Sequence, residues 1–222
     1  MKKFIHVERC DSTQELLKEQ LALQDHCGDL TISCEHQLKG FGRGSNTWTD
    51  SPGTVCFSMT LEPHIKVTFT ALEISLLISR FFSLKGKDIK VKWPNDLINF
   101  QGKKCGGVIV QNSGNRYFAG AGLNLFQNDS RFGGIYEAEF AVDKKEWAKD
   151  LSHFITSHRY TDSEVLTGDW NSICFHLNHE VSIIDGNEET RGKFIGLGPY
   201  GEALIENSQG THHIYNGSLK LI

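Results

Sequence analysis

Four short segments combine residue types that do chemistry at close spacing. Gln37-Leu38-Lys39-Gly40-Phe41-Gly42-Arg43-Gly44-Ser45 alternates glycine with cationic and aromatic residues. Glycines let backbone amides approach an anion and arginine adds a fixed charge, so such a loop can bind phosphate, although the same composition also builds an ordinary surface loop. It lacks both the strand-to-helix context of a dinucleotide fingerprint and the Walker pattern. Lys92-Trp93-Pro94-Asn95-Asp96-Leu97 crowds a cation, a ring, an amide and a carboxylate at the end of a predicted strand, where sites commonly lie, while Pro-Asn-Asp reads equally as a chain reversal. Lys103-Lys104-Cys105-Gly106-Gly107-Val108 sets lysine beside paired glycines, and Gly120-Ala121-Gly122-Leu123-Asn124 offers small residues for a ligand to lie against. A surface charge and β-bulges are the plain alternatives for these two.

The elements that must position these segments follow from periodicity and caps. A strand at residues 3–8 leads to Ser12-Thr13-Gln14-Glu15, a capping-box pattern that predicts a helix with Leu16, Leu17, Leu21 and Leu23 as its apolar stripe and Cys27-Gly28 as its end. A strand at 30–35 precedes a long glycine-rich loop over 38–53. Val55–Leu61 reads as a strand, Thr70–Leu84 as an apolar helix closed by Gly86, and Ile89, Val91 and Trp93 as a half-buried strand. Val108–Gln111 and Tyr117–Leu123 form a hairpin at the centre of a mixed sheet, turning at Asn112-Ser113-Gly114-Asn115. Asp143 with Glu146 caps a further helix, and another covers 163–173. From about 178 the texture changes to short alternating stretches (Val181–Ile184, Gly192–Leu197, Ala203–Glu206, His212–Tyr215, Ser218–Leu221) parted by Gly and Asn turns, as in a small all-β barrel.

Composition bounds the function classes. The chain has 222 residues, 39 % hydrophobic and 23 % charged, which suits one large globular domain with a small appendage when domains run to ~100–200 residues. Its apolar runs fall far short of the ~20 residues a membrane span needs. The start Met1-Lys2-Lys3-Phe4-Ile5-His6 holds no signal-peptide core, so a cytoplasmic protein that engages no membrane is expected. The six cysteines (Cys10, Cys27, Cys34, Cys56, Cys105, Cys174) show no CxxC pair and no regular spacing, so buried free thiols are expected in place of zinc or disulfides. A net charge of -4 argues against nucleic acid as a partner.

Taken in order along the chain, Asp11-Ser12-Thr13-Gln14, the Gly40–Gly44 loop with Trp48, Lys92–Leu97, Lys103–Val110 and Gly120–Asn124 resemble the catalytic domain of biotin protein ligases. Lys-Trp-Pro-Asn-Asp is the most specific part. The resemblance covers residues 1–176 as a catalytic domain, and residues 177–222 resemble that family's SH3-like domain in texture and position. It implies an α+β fold: a mixed β-sheet flanked by helices, like class II synthetases, followed by a small C-terminal SH3-like β-barrel.

By that resemblance Ser12, Thr13 and Gln37 hydrogen-bond the ureido head of biotin, and Gly40, Lys104, Gly106 and Gly107 complete the biotin site. Gly42 and Arg43 take the phosphates of ATP and of the adenylate, Trp48 packs by the adenine, and Asn95 and Asn124 supply amide contacts. Lys104, in preference to its neighbour Lys103, matches the family lysine that offsets repulsion between biotin's carboxylate and the α-phosphate. Asp96 would hold Mg²⁺ or assist deprotonation of the acceptor lysine, so the catalytic candidates are Lys104, Arg43 and Asp96. The implied reaction joins biotin to Mg-ATP as biotinyl-5'-AMP, releasing pyrophosphate, and then passes the biotinyl group to a lysine of a biotin carboxyl carrier protein, an acetyl-CoA carboxylase subunit. The 38–53 loop would be the lid that keeps water from the anhydride. No room is expected for the N-terminal helix-turn-helix that larger relatives use to bind DNA, and the resemblance is compatible with a homodimer.

Two other functions suit the same segments: a lipoate or octanoate ligase or transferase of similar fold, and a non-catalytic carrier- or nucleotide-binding module. Lys92–Leu97 with the glycine loop favours biotin over lipoate, and the presence of Lys104 and Arg43 argues against the module. Some positions depart from the family pattern. Phe41 stands where many relatives have arginine, Gly44-Ser45-Asn46 lacks the motif's second basic half, Gln14 replaces an asparagine and Gln111 a frequent glutamate. A looser hold on the adenylate is the expected consequence, unless Lys39 compensates. Phe41→Arg should therefore release pre-formed biotinyl-adenylate more slowly than the wild-type chain; equal off-rates would refute this account of the loop.

Overall fold

The computed structural model describes residues 3–23, 29–44, 46–126 and 131–222. Strands β1 (Lys3–Cys10) and β2 (Leu30–Gln37) pair in parallel, which demands a crossover, and helix α1 (Thr13–Leu23) supplies it. Ser12 caps α1 as its spacing predicts, its hydroxyl accepting the Gln14 N–H. Leu17 is the stripe's buried residue, packed with Leu30, Ile32 and Phe118, whereas Leu23 is exposed. The expected end at Cys27-Gly28 lies outside the described residues.

The remaining strands add antiparallel to give one seven-stranded sheet, in the order β1-β2-β5-β9-β8-β7-β6. Here β5 is Thr54–Leu61, β6 Lys90–Lys92, β7 Asp96–Ile98, β8 Lys104–Ser113 and β9 Arg116–Asn124. The expected central hairpin is β8–β9, and the sheet is mixed as anticipated. Two boundaries differ from the periodicity. The half-buried strand around 89–93 is cut to three residues, because the chain reverses at Trp93-Pro94 and returns as the unforeseen β7. Strand β8 starts four residues before the apolar run, so Lys104 lies within a strand. The 38–53 segment also contains a two-stranded hairpin, β3 (Gly40–Phe41) with β4 (Thr47–Trp48).

Helices α2 (Thr70–Ser83), α3 (Lys144–Ser157) and α4 (Ser163–Ser172) bury the sheet's other face. Asp143 caps α3 by accepting the Glu146 N–H at 3.0 Å, and Asp162 caps α4. One buried ion pair locks this layer: Arg159 donates twice to Glu73 of α2, at 2.8 and 2.7 Å. No helix among the described residues is long and apolar enough to cross a membrane.

The C-terminal strands β10 (Glu180–Asp185), β11 (Glu188–Leu197), β12 (Ala203–Asn207), β13 (Gly210–Ile214) and β14 (Ser218–Leu221) form a five-stranded antiparallel sheet ordered β13-β12-β11-β10-β14. Its apolar side is continuous with the main core, since Val181, Phe194, Leu197 and Leu219 belong to the same buried cluster as Val91, Trp93 and Trp170. Trp93 donates its indole N–H to the Gly201 carbonyl at 3.2 Å, across that junction.

His176 is buried at the same junction, its ring 4.2 Å from Phe194 and 6.1 Å from Trp170 between centroids. Burial, aided by the charges of Lys92 and His179, pulls its pKa from 6.5 down to about 3. Between those values the unfolded chain binds a proton that the native chain refuses, so stability falls as pH drops through that window. The slope from this one group is about 1.4 kcal/mol per pH unit. Urea midpoints measured from pH 7 to 4 should fall less steeply for His176→Phe than for the wild-type chain; parallel curves would refute it.

Candidate active site

Across three adjacent strands the register sets small residues side by side. Cys56 of β5 faces Gly122 of β9, which faces Gly107 of β8; one step along, Ser58 faces Gly120, which faces Ile109. On a pleated sheet these positions share a face. The space they leave is a cavity of about 750 Å³, roofed by residues 41–44 and 46–49 and bounded by α1, the β6–β7 turn and the C-terminal sheet. Trp48 lies so close over Gly122 that a Cβ there would come within 2.5 Å of the indole, so the glycine is what admits the ring.

Most of the residues singled out in the sequence meet in this wall: Ser12, Thr13, Gln37, Gly42, Arg43, Trp48, Asn95, Asp96, Lys104, Gly107 and Asn124. Those at one end are already wired together. Gln37 Oε1 accepts the Thr13 N–H at 2.9 Å, and the Thr13 and Ser58 hydroxyls lie 2.8 Å apart. Asn95 Nδ2 donates to the Val108 carbonyl at 2.7 Å, and Asn124 Oδ1 accepts from Thr54 at 3.2 Å, so both amides also brace the wall.

Gly106 and Gly40, expected in the biotin site, do not line the cavity. The cause at Gly106 is a bulge. The β7–β8 register jumps from Leu97↔Gly106 to Ile98↔Lys104, leaving Cys105 as the extra residue. Plain alternation would set Lys104 and Gly106 on one face. The bulge instead turns Cys105 and Gly106 inward, the latter against Leu97 and Leu123, and brings Lys104 to the cavity face beside Gly107. Gly40 sits behind the wall, wedged between Gln37 and Trp48.

Lys104 Nζ is 2.5 Å from Asp96 Oδ1, and Lys92 Nζ is 3.7 Å from the other oxygen. A carboxylate met by two ammonium groups suits the holding of a lysine better than that of a metal ion. No three His, Cys, Asp or Glu gather as a metal site among the described residues. The cavity's thiol is not a nucleophile, because burial, with Asp50 nearby, pushes Cys56 up to about 12. Lys39, the anticipated compensating cation, is outside the wall and pairs with Asp11 at 2.8 Å. Ser45 lies outside the described residues.

Sequence reasoning missed the fourth wall. Ile184, Asp185, Asn216, Gly217, Ser218 and Leu219 come from the C-terminal sheet. Asn216-Gly217 reads locally as a turn signal, and nothing in the local sequence points it at a loop some 170 residues earlier.

Three comparisons bear on this geometry. The profile of the Biotin/lipoate A/B protein ligase family matches residues 6–125. The bifunctional ligase/repressor BirA of Bacillus subtilis is 23 % identical over 98 % of this chain and 73 % of that protein. Biotin–protein ligase 2 of Arabidopsis thaliana is 35 % identical over 44 % of this chain and 33 % of that protein. Among solved structures, the biotin protein ligase of Aquifex aeolicus in complex with biotin and ATP superposes with a TM-score of 0.84 and 28 % identity, covering all of both chains (100 % and 100 %).

The base of the roof loop hangs on a buried lysine. Lys144, at the start of α3, donates to the carbonyls of Glu35 at 2.6 Å and Ser51 at 3.2 Å, and its Nζ lies 3.5 Å from Asp50. Its side chain is only 3 % exposed and that of Asp50 15 %. Removing the ammonium leaves two carbonyls and a carboxylate short of their partner, a loss on the order of 3 kcal/mol. Lys144→Met should therefore lower the urea midpoint and speed proteolysis within 49–53. An unchanged cleavage rate there would show that the loop is anchored elsewhere.

Proposed function

Because the chain belongs to the biotin/lipoate A/B protein ligase family, we propose that it is an ATP-dependent biotin protein ligase that forms biotinyl-5'-AMP and transfers the biotinyl group to a lysine of a biotin carboxyl carrier protein. The observation that carries this reading is convergence. Ser12, Thr13, Gln37, Arg43 and Lys104, from separate segments of the chain, line one cavity.

The walls divide the chemistry between them. Ser12, Thr13 and Gln37 form a polar end, and short hydroxyls with an amide match a cyclic urea's donors and acceptors. Arg43 and Lys104 are cations on different walls, so a carboxylate and a triphosphate brought between them are both neutralised as they approach. Lys104 then stabilises charge developing at the α-phosphorus as biotin's carboxylate attacks and pyrophosphate leaves. Asp96 pairs with Lys104 and orients it, and as a carboxylate in the same cavity wall it would receive the proton of the acceptor ε-ammonium. Mg²⁺ enters with ATP as part of the substrate, held chiefly by phosphate oxygens and water. Trp48, with Gly42 and the amides of Asn95 and Asn124, lines the space for the adenylate moiety. Apolar and small residues in the remaining wall keep water from the anhydride before transfer. The reading puts the protein in the cytoplasm, where ATP is supplied.

The deciding experiment supplies ATP with either biotin or lipoate and weighs the acceptor. Biotin-dependent pyrophosphate release followed by a biotinylated carrier is expected. Modification by lipoate alone would overturn the assignment, and no pyrophosphate release at high enzyme concentration would favour a binding module. Lys104→Met should lower the adenylation rate by about 100-fold or more, with a smaller effect on the KM for biotin. A change confined to KM would assign Lys104 to binding alone.

A further inference from the structure

The guanidinium of Arg43 is held from the C-terminal sheet. Nη1 donates to the Gly217 carbonyl at 3.1 Å and Nη2 to Asn216 Oδ1 at 2.5 Å. Asn216 in turn donates its Nδ2 to Asp185 Oδ1 at 3.0 Å. An amide can face either way, but an ionised carboxylate only accepts, so Asp185 selects the Nδ2 side and leaves Oδ1 toward the guanidinium. Gly217 has φ +133°, and a Cβ there would lie 2.7 Å from Ile183 and 2.8 Å from the Ile184 carbonyl, so the carbonyl offered to Arg43 occupies a place that glycine alone can provide. Arg43, Asp185, Asn216 and Gly217 all line the cavity.

Resting on the adenylate-forming reading above, we propose that Asn216, oriented by Asp185, is a positioning residue: it fixes Arg43 and so pins the glycine loop over bound adenylate. The glycine loop carries one arginine, Arg43, with Phe41 two residues before it. A lone guanidinium on a glycine-rich loop loses much freedom when it closes on a phosphate, and that cost is lower if its direction is set beforehand. The neighbouring backbone does not set it, for Gly42 N–H bonds the Asn46 carbonyl and Asn46 N–H the Arg43 carbonyl, and neither contact touches the guanidinium. The C-terminal contacts do, using two of the five guanidinium N–H groups and leaving donors for phosphate oxygens. Lys39, salt-bridged to Asp11 outside the cavity, cannot serve this purpose. The direction of the loop's arginine is thus set by the C-terminal sheet.

The test loads the full chain with labelled biotin and Mg-ATP, removes free ligand, and follows loss of bound adenylate beside KM values for ATP and biotin. Asn216→Ala should release adenylate about tenfold faster and raise the KM for ATP, with the KM for biotin unchanged. Asn216→Asp keeps an oxygen toward Arg43 and should recover part of the retention lost in Asn216→Ala, short of the wild-type chain because a carboxylate also partly neutralises the guanidinium. If Asn216 served only the fold of its own sheet, a carboxylate placed against Asp185 would do as much harm as alanine. Release at the wild-type rate from Asn216→Ala, or release from Asn216→Asp as fast as from Asn216→Ala, overturns the proposal. Failure of the wild-type chain to release pyrophosphate with biotin would instead overturn the parent reading, and this inference with it.

Discussion

The cavity depends on a register. Strands β5, β9 and β8 must pair so that Cys56, Gly122 and Gly107 fall in one row and Ser58, Gly120 and Ile109 in the next, all on the face turned toward α1 and the roof loop. A one-residue slip in β9 would send its glycines to the other face, where Ala119, Ala121 and Leu123 now fill the core, and would bring those larger residues into the cavity. Close approach makes the constraint strict. The Gln14 amide and the Trp48 indole occupy the volume that side chains at positions 120 and 122 would claim.

On that floor the two principal cations are held differently, in keeping with what each is asked to do. Lys104 is paired with a carboxylate and aimed by a bulge, so its charge is fixed to a rigid sheet. Arg43 is held by neutral oxygens of Asn216 and Gly217. Neutral acceptors direct a guanidinium without neutralising it, so its charge stays available to a phosphate, for which charge-assisted bonds are about twice as strong as neutral ones.

The C-terminal sheet can act as a wall because it is not a loosely tethered appendage. Trp93 bonds across the junction to Gly201, and His176 stays neutral between Trp170 and Phe194, so the apolar core runs on from the large sheet into the small one. Trp93 also lines the cavity, which ties the Lys92–Leu97 turn to the fold's integrity as well as to the site.

The order of elements was legible in the sequence because it rests on local rules: period-2 and period-3.6 burial, caps at Ser12 and Asp143, and glycine turns. Composition marked the Arg43 loop as a phosphate-binding candidate, whereas Lys104 and the Ser12-Thr13 pair were marked only by the resemblance that the order of the segments carries. Three things were decided only by tertiary structure. Which glycine beside Lys104 faces the cavity depends on a bulge, a mismatch between two strands that neither strand's sequence encodes alone. That the chain, once reversed within 92–97, returns as the strand β7 depends on its pairing with β8, a contact of the folded sheet. The fourth wall joins Arg43 to Asn216, residues brought together only when the two sheets share a core, and a hydrogen bond across 173 positions leaves no periodic trace in either segment.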